Sequence, residues 1–135
     1  MDITTDRPSA DVAVIGLTGE LDGSNFEDVI AAGRTARDGG ARRIVLDLSG
    51  LSYMGSSGLV AIHSIALLLA GKEPTSPEDG WQAIHEVSQS VGDGDPGVIL
   101  VGPGASVQRV LDRSGMSELF PVHPDRAAAL GAATT

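Results

Sequence analysis

The 135-residue chain contains no cysteine. Disulfide staples, thiolate nucleophiles and cysteine metal ligands are therefore excluded, and a reducing cytoplasm is the simplest compartment for it. Aromatic residues are almost as scarce, with two Phe, one Tyr and one Trp. The core must then be assembled from Val, Ile, Leu and Ala. Basic residues are few: nine Lys and Arg face eighteen Asp and Glu, a net charge of −9. A surface of that sign repels phosphate backbones and anionic headgroups, which argues against nucleic-acid and membrane partners. No long apolar run exists either. Ile65 to Ala70 is the greasiest stretch, far short of the roughly 20 residues of a membrane span. Met1 to Asp6 lacks the basic and apolar regions of a secretion signal. What the chain does have is 41% apolar residues, enough for one globular domain over residues 1–135.

The apolar pattern alternates between two periods. Val12, Val14, Leu17 and Leu21 read as a strand ending near Leu21-Asp22. Asp22, Ser24 and Asn25 are candidate caps for a helix carrying Phe26, Val29, Ile30 and Gly33, closed by Gly39-Gly40. Ile44-Val45-Leu46 lies in a strand over Arg42 to Leu48, covered on both faces. Leu59, Ile62, Ala66 and Leu69 mark one face of a second helix. Val98 to Val101 is a buried strand, and Val107, Val110 and Leu111 define a helix ended by Ser114-Gly115. Leu119 to Val122 reads as a last short strand and Pro124 to Leu130 as a terminal helix. Strands alternating with helices predict an α/β domain with a largely parallel sheet. Between Lys72 and Gly97 the composition shifts to Pro, Gly and charge. Two loops there bracket a short helix with Trp81, Ile84 and Val87 or Val91.

The segment with most chemistry in it is Asp47-Leu48-Ser49-Gly50-Leu51-Ser52-Tyr53-Met54-Gly55-Ser56-Ser57-Gly58-Leu59. It predicts a strand, a tight turn and a helix start with two serines. The plain reading makes Ser56 or Ser57 the helix N-cap. The functional reading uses the same place: a phosphate there meets free amides and the positive end of the helix dipole, and adds about two negative charges to an exposed surface. Gly55 offers the turn a positive φ. Other candidates are weaker. Gly92 to Gly97 matches G-x-G-x-x-G but precedes a strand, so it is no dinucleotide fingerprint. Asp93 and Asp95 lack the remaining ligands of a calcium loop. His63, His85 and His123 are scattered, and His63 reads as a polar-face residue. Gly102-Pro103-Gly104 reads as an ordinary strand-to-helix turn. No catalytic constellation, metal site or cofactor site can be assigned.

Asp47-Leu48-Ser49, Tyr53-Met54 and Ser56-Ser57-Gly58-Leu59 together resemble the signature of the STAS domain. Leu17 to Asp22 is similar to the family's upstream strand end, and Val98 to Met116 to its later strand, G-P turn and helix. The likeness runs from Val12 to Leu130, apart from a family-atypical insertion at about 72–97. It implies a STAS-like single domain, a mixed and mostly parallel β-sheet flanked by about four to five helices. Stand-alone domains of this size resemble anti-sigma factor antagonists. That resemblance implies a non-enzymatic module that binds an anti-sigma factor of the serine-kinase type and releases a sigma factor. It places the phosphoacceptor at Ser56, with Ser57 the alternative, and a phosphatase as the restoring partner. The partner surface would comprise Ser24, Asn25, Gly55, Ser56, Ser57, Gly58, Leu59 and exposed residues of the second helix. The motif's usual aspartate is Gly55 here. That departure and the insertion support a second reading, a STAS-like sensor or scaffold without a working phosphoswitch. A phosphate-processing enzyme is a third, resting only on the glycine-rich turns.

Overall fold

A computed structural model describes residues 1–70 and 97–133. In chain order these form β1 (Asp2–Asp6), β2 (Val12–Leu21), α1 (Phe26–Asp38), β3 (Arg43–Met54), α2 (Ser56–Leu69), β4 (Val98–Val101), α3 (Ala105–Ser114), α4 (Met116–Leu119), β5 (Val122–His123) and α5 (Arg126–Ala133). The sheet order is β1-β2-β3-β4-β5. β1 is antiparallel to β2, and every other pairing is parallel.

The period-2 alternation of the strands divides the core in two. Ala13, Ile15 and Leu17 of β2, Ile44, Leu46 and Leu48 of β3, and Val98 and Leu100 of β4 point to one face, packed by α1, α2, α3 and α4. Val12, Val14, Val45, Ile99 and Val101 point to the other, where Ala129 of α5 covers them. Burial on both faces is why these strands read as near-continuous apolar runs. α1 follows its expected spacing, with Phe26, Val29, Gly33 and Ala36 buried, Glu27 and Asp28 in its first turn and Arg37 in its last. α3 ends as expected at Gly115, whose φ of 80° gives a left-handed cap.

Several boundaries differ from expectation. β1 has no counterpart in the apolar pattern: it is an exposed edge strand with only Ile3 partly buried, so it carries no alternation. β3 does not end at Leu48 but runs on to Met54, pairing Thr18 with Gly50 and Glu20 with Tyr53. Its second half is largely solvent-facing, and register shifts between Gly16 and Thr18 and between Gly19 and Glu20 hide the pairing. Leu119 to Val122 is not a strand: Met116–Leu119 is a helical turn and β5 is only Val122–His123, entered at Pro121, whose carbonyl accepts the Leu100 N–H at 2.9 Å. α5 begins at Arg126 rather than Pro124, because the Asp125 carboxylate accepts the Ala128 N–H at 2.8 Å and caps the helix there. The expected insertion, with Trp81, His85, Asp93 and Asp95, lies outside the described residues.

Candidate functional site

The serine segment sits where two parallel strands end together. β2 and β3 finish in register, Leu21 opposite Met54, and the Leu21 carbonyl accepts the Gly55 N–H at 2.9 Å. Both chains then turn out of the sheet at one place. The Asp22 to Asn25 loop follows β2, and α2 follows β3 after the single residue Gly55. A β-carbon on Gly23 would lie 3.6 Å from Ser57 Oγ, so the two segments touch. The structure thus brings the loop that carries Ser24 and Asn25 against the start of α2, with Gly23 at Ser57.

The loop is held by its own side chains. Asn25 Oδ1 accepts the Asp22 N–H at 3.0 Å, and Asn25 Nδ2 donates to the Glu20 carbonyl at 2.8 Å. Asn25 occupies the N-cap position of α1 without making a capping bond, because its amide is committed to the loop. Asp22 Oδ1 accepts both the hydroxyl and the N–H of Ser24, at 2.5 and 2.9 Å. These bonds, the hydroxyl first, hold the Asp22 carboxyl below its ordinary value. Ser24 is exposed, but its hydroxyl proton is given to Asp22.

At the start of α2 the caps differ from expectation. Neither Ser56 nor Ser57 is the N-cap. Gly55 holds that position, with φ −88° and ψ −176°, and no side chain caps the helix. Gly55 is therefore extended backbone, without the positive φ expected of it. Ser56 is exposed and Ser57 half-buried, and among the described residues neither hydroxyl has a hydrogen-bond partner. The first-turn amides of α2 and the positive end of its dipole lie directly beneath them.

Gly58 and Leu59 are buried and shape the site from below. A β-carbon on Gly58 would collide with Met54 Cγ, so glycine is what lets the helix start close against the strand end. The rest of α2 is also covered. Every residue from Gly58 to Leu68 is buried, so the exposed helix face expected beyond the serines is not there. His63 is part of this correction. It is 1% exposed, with Nδ1 3.0 Å from the Leu59 carbonyl and its ring edge-on to Phe120 at 5.7 Å. Sequence placed it on a polar face because nothing in a lone histidine marks it as core.

Two side chains of the motif have surroundings that the sequence pattern does not give. Tyr53 is 51% exposed and stands beside Gly55; its signal was that the chain's one tyrosine lies at the mouth of the serine turn. Asp47 faces the α5 side, where its carboxylate accepts Arg126 Nε at 2.6 Å and the Ser49 hydroxyl at 2.6 Å. That pair joins residues 79 positions apart, beyond any local pattern. No group of three or more metal-ligating residues occurs among the described residues. No helix there is long and apolar enough to cross a membrane.

A family model described as Mlab, STAS domain, matches residues 4–75, more than half of the chain. The chain belongs to the STAS domain family. The match runs from within β1 past the end of α2 and so includes the whole serine site. Comparison with curated proteins returns no match. Solved structures supply the likeness beyond residue 75. The anti-sigma factor antagonist SpoIIAA in its unphosphorylated form superposes with a TM-score of 0.66 at 22% identity, over 98% of this chain and 96% of that one. An anti-sigma factor antagonist from Mycobacterium paratuberculosis gives 0.67 at 23% identity, over 99% and 96%. The Bacillus cell fate determinant SpoIIAA in its phosphorylated form gives 0.57 at 22% identity, over 98% and 99%. The mixed, mostly parallel sheet with its flanking helices is thus the fold of these STAS proteins.

Proposed function

We propose that this STAS domain is an anti-sigma factor antagonist. It binds an anti-sigma factor through the face formed by Ser24, Asn25 and Gly55 to Ser57, and so frees a sigma factor in the cytoplasm. The supporting observation is the Ser56 hydroxyl, exposed and unpartnered among the described residues at the N-terminus of a helix that is otherwise buried. An exposed hydroxyl with no hydrogen-bonded base among the described residues suits receiving a phosphoryl group from a docked kinase better than attacking a substrate. Phosphorylation would add about two negative charges, stabilised locally by the helix terminus but obstructing a partner docked over it. The anti-sigma factor is then the kinase, and a phosphatase resets the surface. Structural neighbours that are antagonists, one of them known in a phosphorylated and an unphosphorylated form, support the reading.

Gly55 favours a second reading, a scaffold or sensor that binds its partner without a phosphoswitch. One experiment separates them. The protein is incubated with ATP and the complex of anti-sigma kinase and sigma factor from its own cells, and sigma release and phosphopeptides are followed together. The switch predicts phosphate on Ser56, binding but no kinase-driven release for Ser56→Ala, and weakened binding for Ser56→Asp. Absence of phosphate in both wild type and Gly55→Asp, with Ser56→Asp binding normally, leaves the constitutive scaffold.

A further inference from the structure

Three serines stand where β2 and β3 end, and only one of them has a base. The hydroxyls of Ser56 and Ser57 have no hydrogen-bond partner among the described residues. Ser24 differs. It is exposed, and its hydroxyl donates to Asp22 Oδ1 at 2.5 Å. The turn itself needs only the other bond to that oxygen, from the Ser24 N–H at 2.9 Å. The hydroxyl bond is additional, and it sets a carboxylate on the proton of a nucleophilic oxygen. Asp22 stays ionised to receive that proton, because the hydroxyl and then the N–H of Ser24 hold its carboxyl below the usual range.

A second Asp-x-Ser pair in the chain serves as an internal contrast. Asp47 Oδ1 accepts the Ser49 hydroxyl at 2.6 Å and the Ser49 N–H at 3.0 Å. Asp47, however, is buried, and its Oδ2 accepts Arg126 Nε at 2.6 Å. A carboxylate tied to a guanidinium is a poor proton acceptor, and this pair fastens α5 to β3. Asp22 is half-buried, with no arginine or lysine partner among the described residues. Its loop lies against the start of α2, where a β-carbon on Gly23 would be 3.6 Å from Ser57 Oγ. A kinase docked over Ser56 therefore covers Ser24 as well.

We propose that Ser24 is a second phosphoacceptor of this face, with the Asp22 carboxylate as its proton acceptor. The source of the phosphoryl group rests on the anti-sigma kinase reading above. Ser24 Oγ bonds to the γ-phosphorus of ATP while the bond from that phosphorus to the β,γ-bridging oxygen breaks. ADP departs with the electron pair, and the hydroxyl proton passes to Asp22. The product is unlike phospho-Ser56. Its phosphate stands beside Asp22 and just ahead of Glu27 and Asp28 in the first turn of α1, and the hydroxyl that held Asp22 is gone. Like charges then push the Asp22 to Asn25 loop open.

The test is phosphopeptide mapping after incubation with ATP and either the purified anti-sigma factor or an extract of the protein's own cells. Phosphate should appear on Ser24 in wild type and in Ser56→Ala, and none on Ser49. Asp22→Asn keeps an oxygen for both bonds, so the loop survives, but it cannot take a proton. It should slow modification of Ser24 by about 100-fold and leave that of Ser56 unchanged. Hydrogen exchange at residues 22–25 should quicken in the phospho-Ser24 protein and not in phospho-Ser56; equal exchange in the two overturns the loop opening. Ser24 unmodified by both sources, or modified as fast in Asp22→Asn, overturns the inference and leaves the anti-sigma reading in place. Ser24 modified by the extract, with a purified factor that neither binds nor phosphorylates the protein, keeps the site and defeats the anti-sigma reading.

Discussion

His63 shows how one atom in the core sets a pH limit. The Leu59 carbonyl can only accept, so the imidazole proton sits on Nδ1 and leaves Nε2 bare. Nε2 is buried, and among the described residues it has no partner. Burial holds the pKa of His63 below its ordinary 6.5, against the opposing pull of the Leu59 carbonyl. The unfolded chain then binds a proton at a pH where the folded one does not. Stability from this group is fully present above about 6.5 and is lost as pH falls below it toward the lower folded value. His63→Leu keeps most of the volume, removes the orphaned nitrogen and should raise stability by about 1 kcal/mol at neutral pH. It should also flatten the stability loss as pH falls below 6.5. Urea unfolding at several pH values measures both; an equal acid loss in wild type and variant would place the sensitivity elsewhere.

Among the elements, α5 depends most on contacts that sequence does not display. It covers the smaller face of the sheet with Ala129, and Arg126 at its start reaches Asp47 on β3 and Asp6 on β1, at 2.6 and 3.2 Å. Burial alone would raise the Asp47 pKa, but the bonds from the Ser49 hydroxyl and Arg126 outweigh it and hold the carboxyl below its ordinary value of 3.8. Stability from Asp47 is therefore present above 3.8 and lost as pH falls through the lower folded value. Arg126→Ala should cost about 1–2 kcal/mol, low in the range for charge-assisted bonds because the arginine is 41% exposed. Hydrogen exchange should quicken in α5 and β1 before β3; a uniform change would show that Arg126 does not tie those elements. The strands β2, β3 and β4 and helices α1 to α3 were legible because their apolar residues repeat with the period of the element. β1 and the second half of β3 were not, since solvent-facing strand has no such repeat. At the site, the position of Ser56 was legible in its motif. The cap at Gly55 and the burial of α2 were not, because both are set by tertiary neighbours.

At the scale of the whole molecule, the question is how much chain the fold requires. The STAS family model matches through residue 75, and the sheet resumes at Val98. The two flanks of the interval are in contact. A β-carbon on Gly97 would lie 3.0 Å from Leu69 Cδ1, and the Gly97 carbonyl accepts the Ile44 N–H at 2.8 Å. The end of α2 and the entry to β4 are therefore already joined through the fold, and a few residues suffice to connect them. We propose that the interval is an insertion into the STAS domain. Replacing residues 72–96 by a short Gly-Ser linker should preserve the circular dichroism spectrum and a single cooperative unfolding transition. Closing the shorter loop should change stability little, since loop entropy varies only by about 0.6 kcal/mol per doubling of length. Partner binding by the shortened protein then separates two roles. Unchanged affinity confines recognition to the Ser56 face, and a loss with the fold intact assigns part of the partner surface to residues 72–96. A shortened chain that fails to fold makes the interval part of the core and overturns its reading as an insertion.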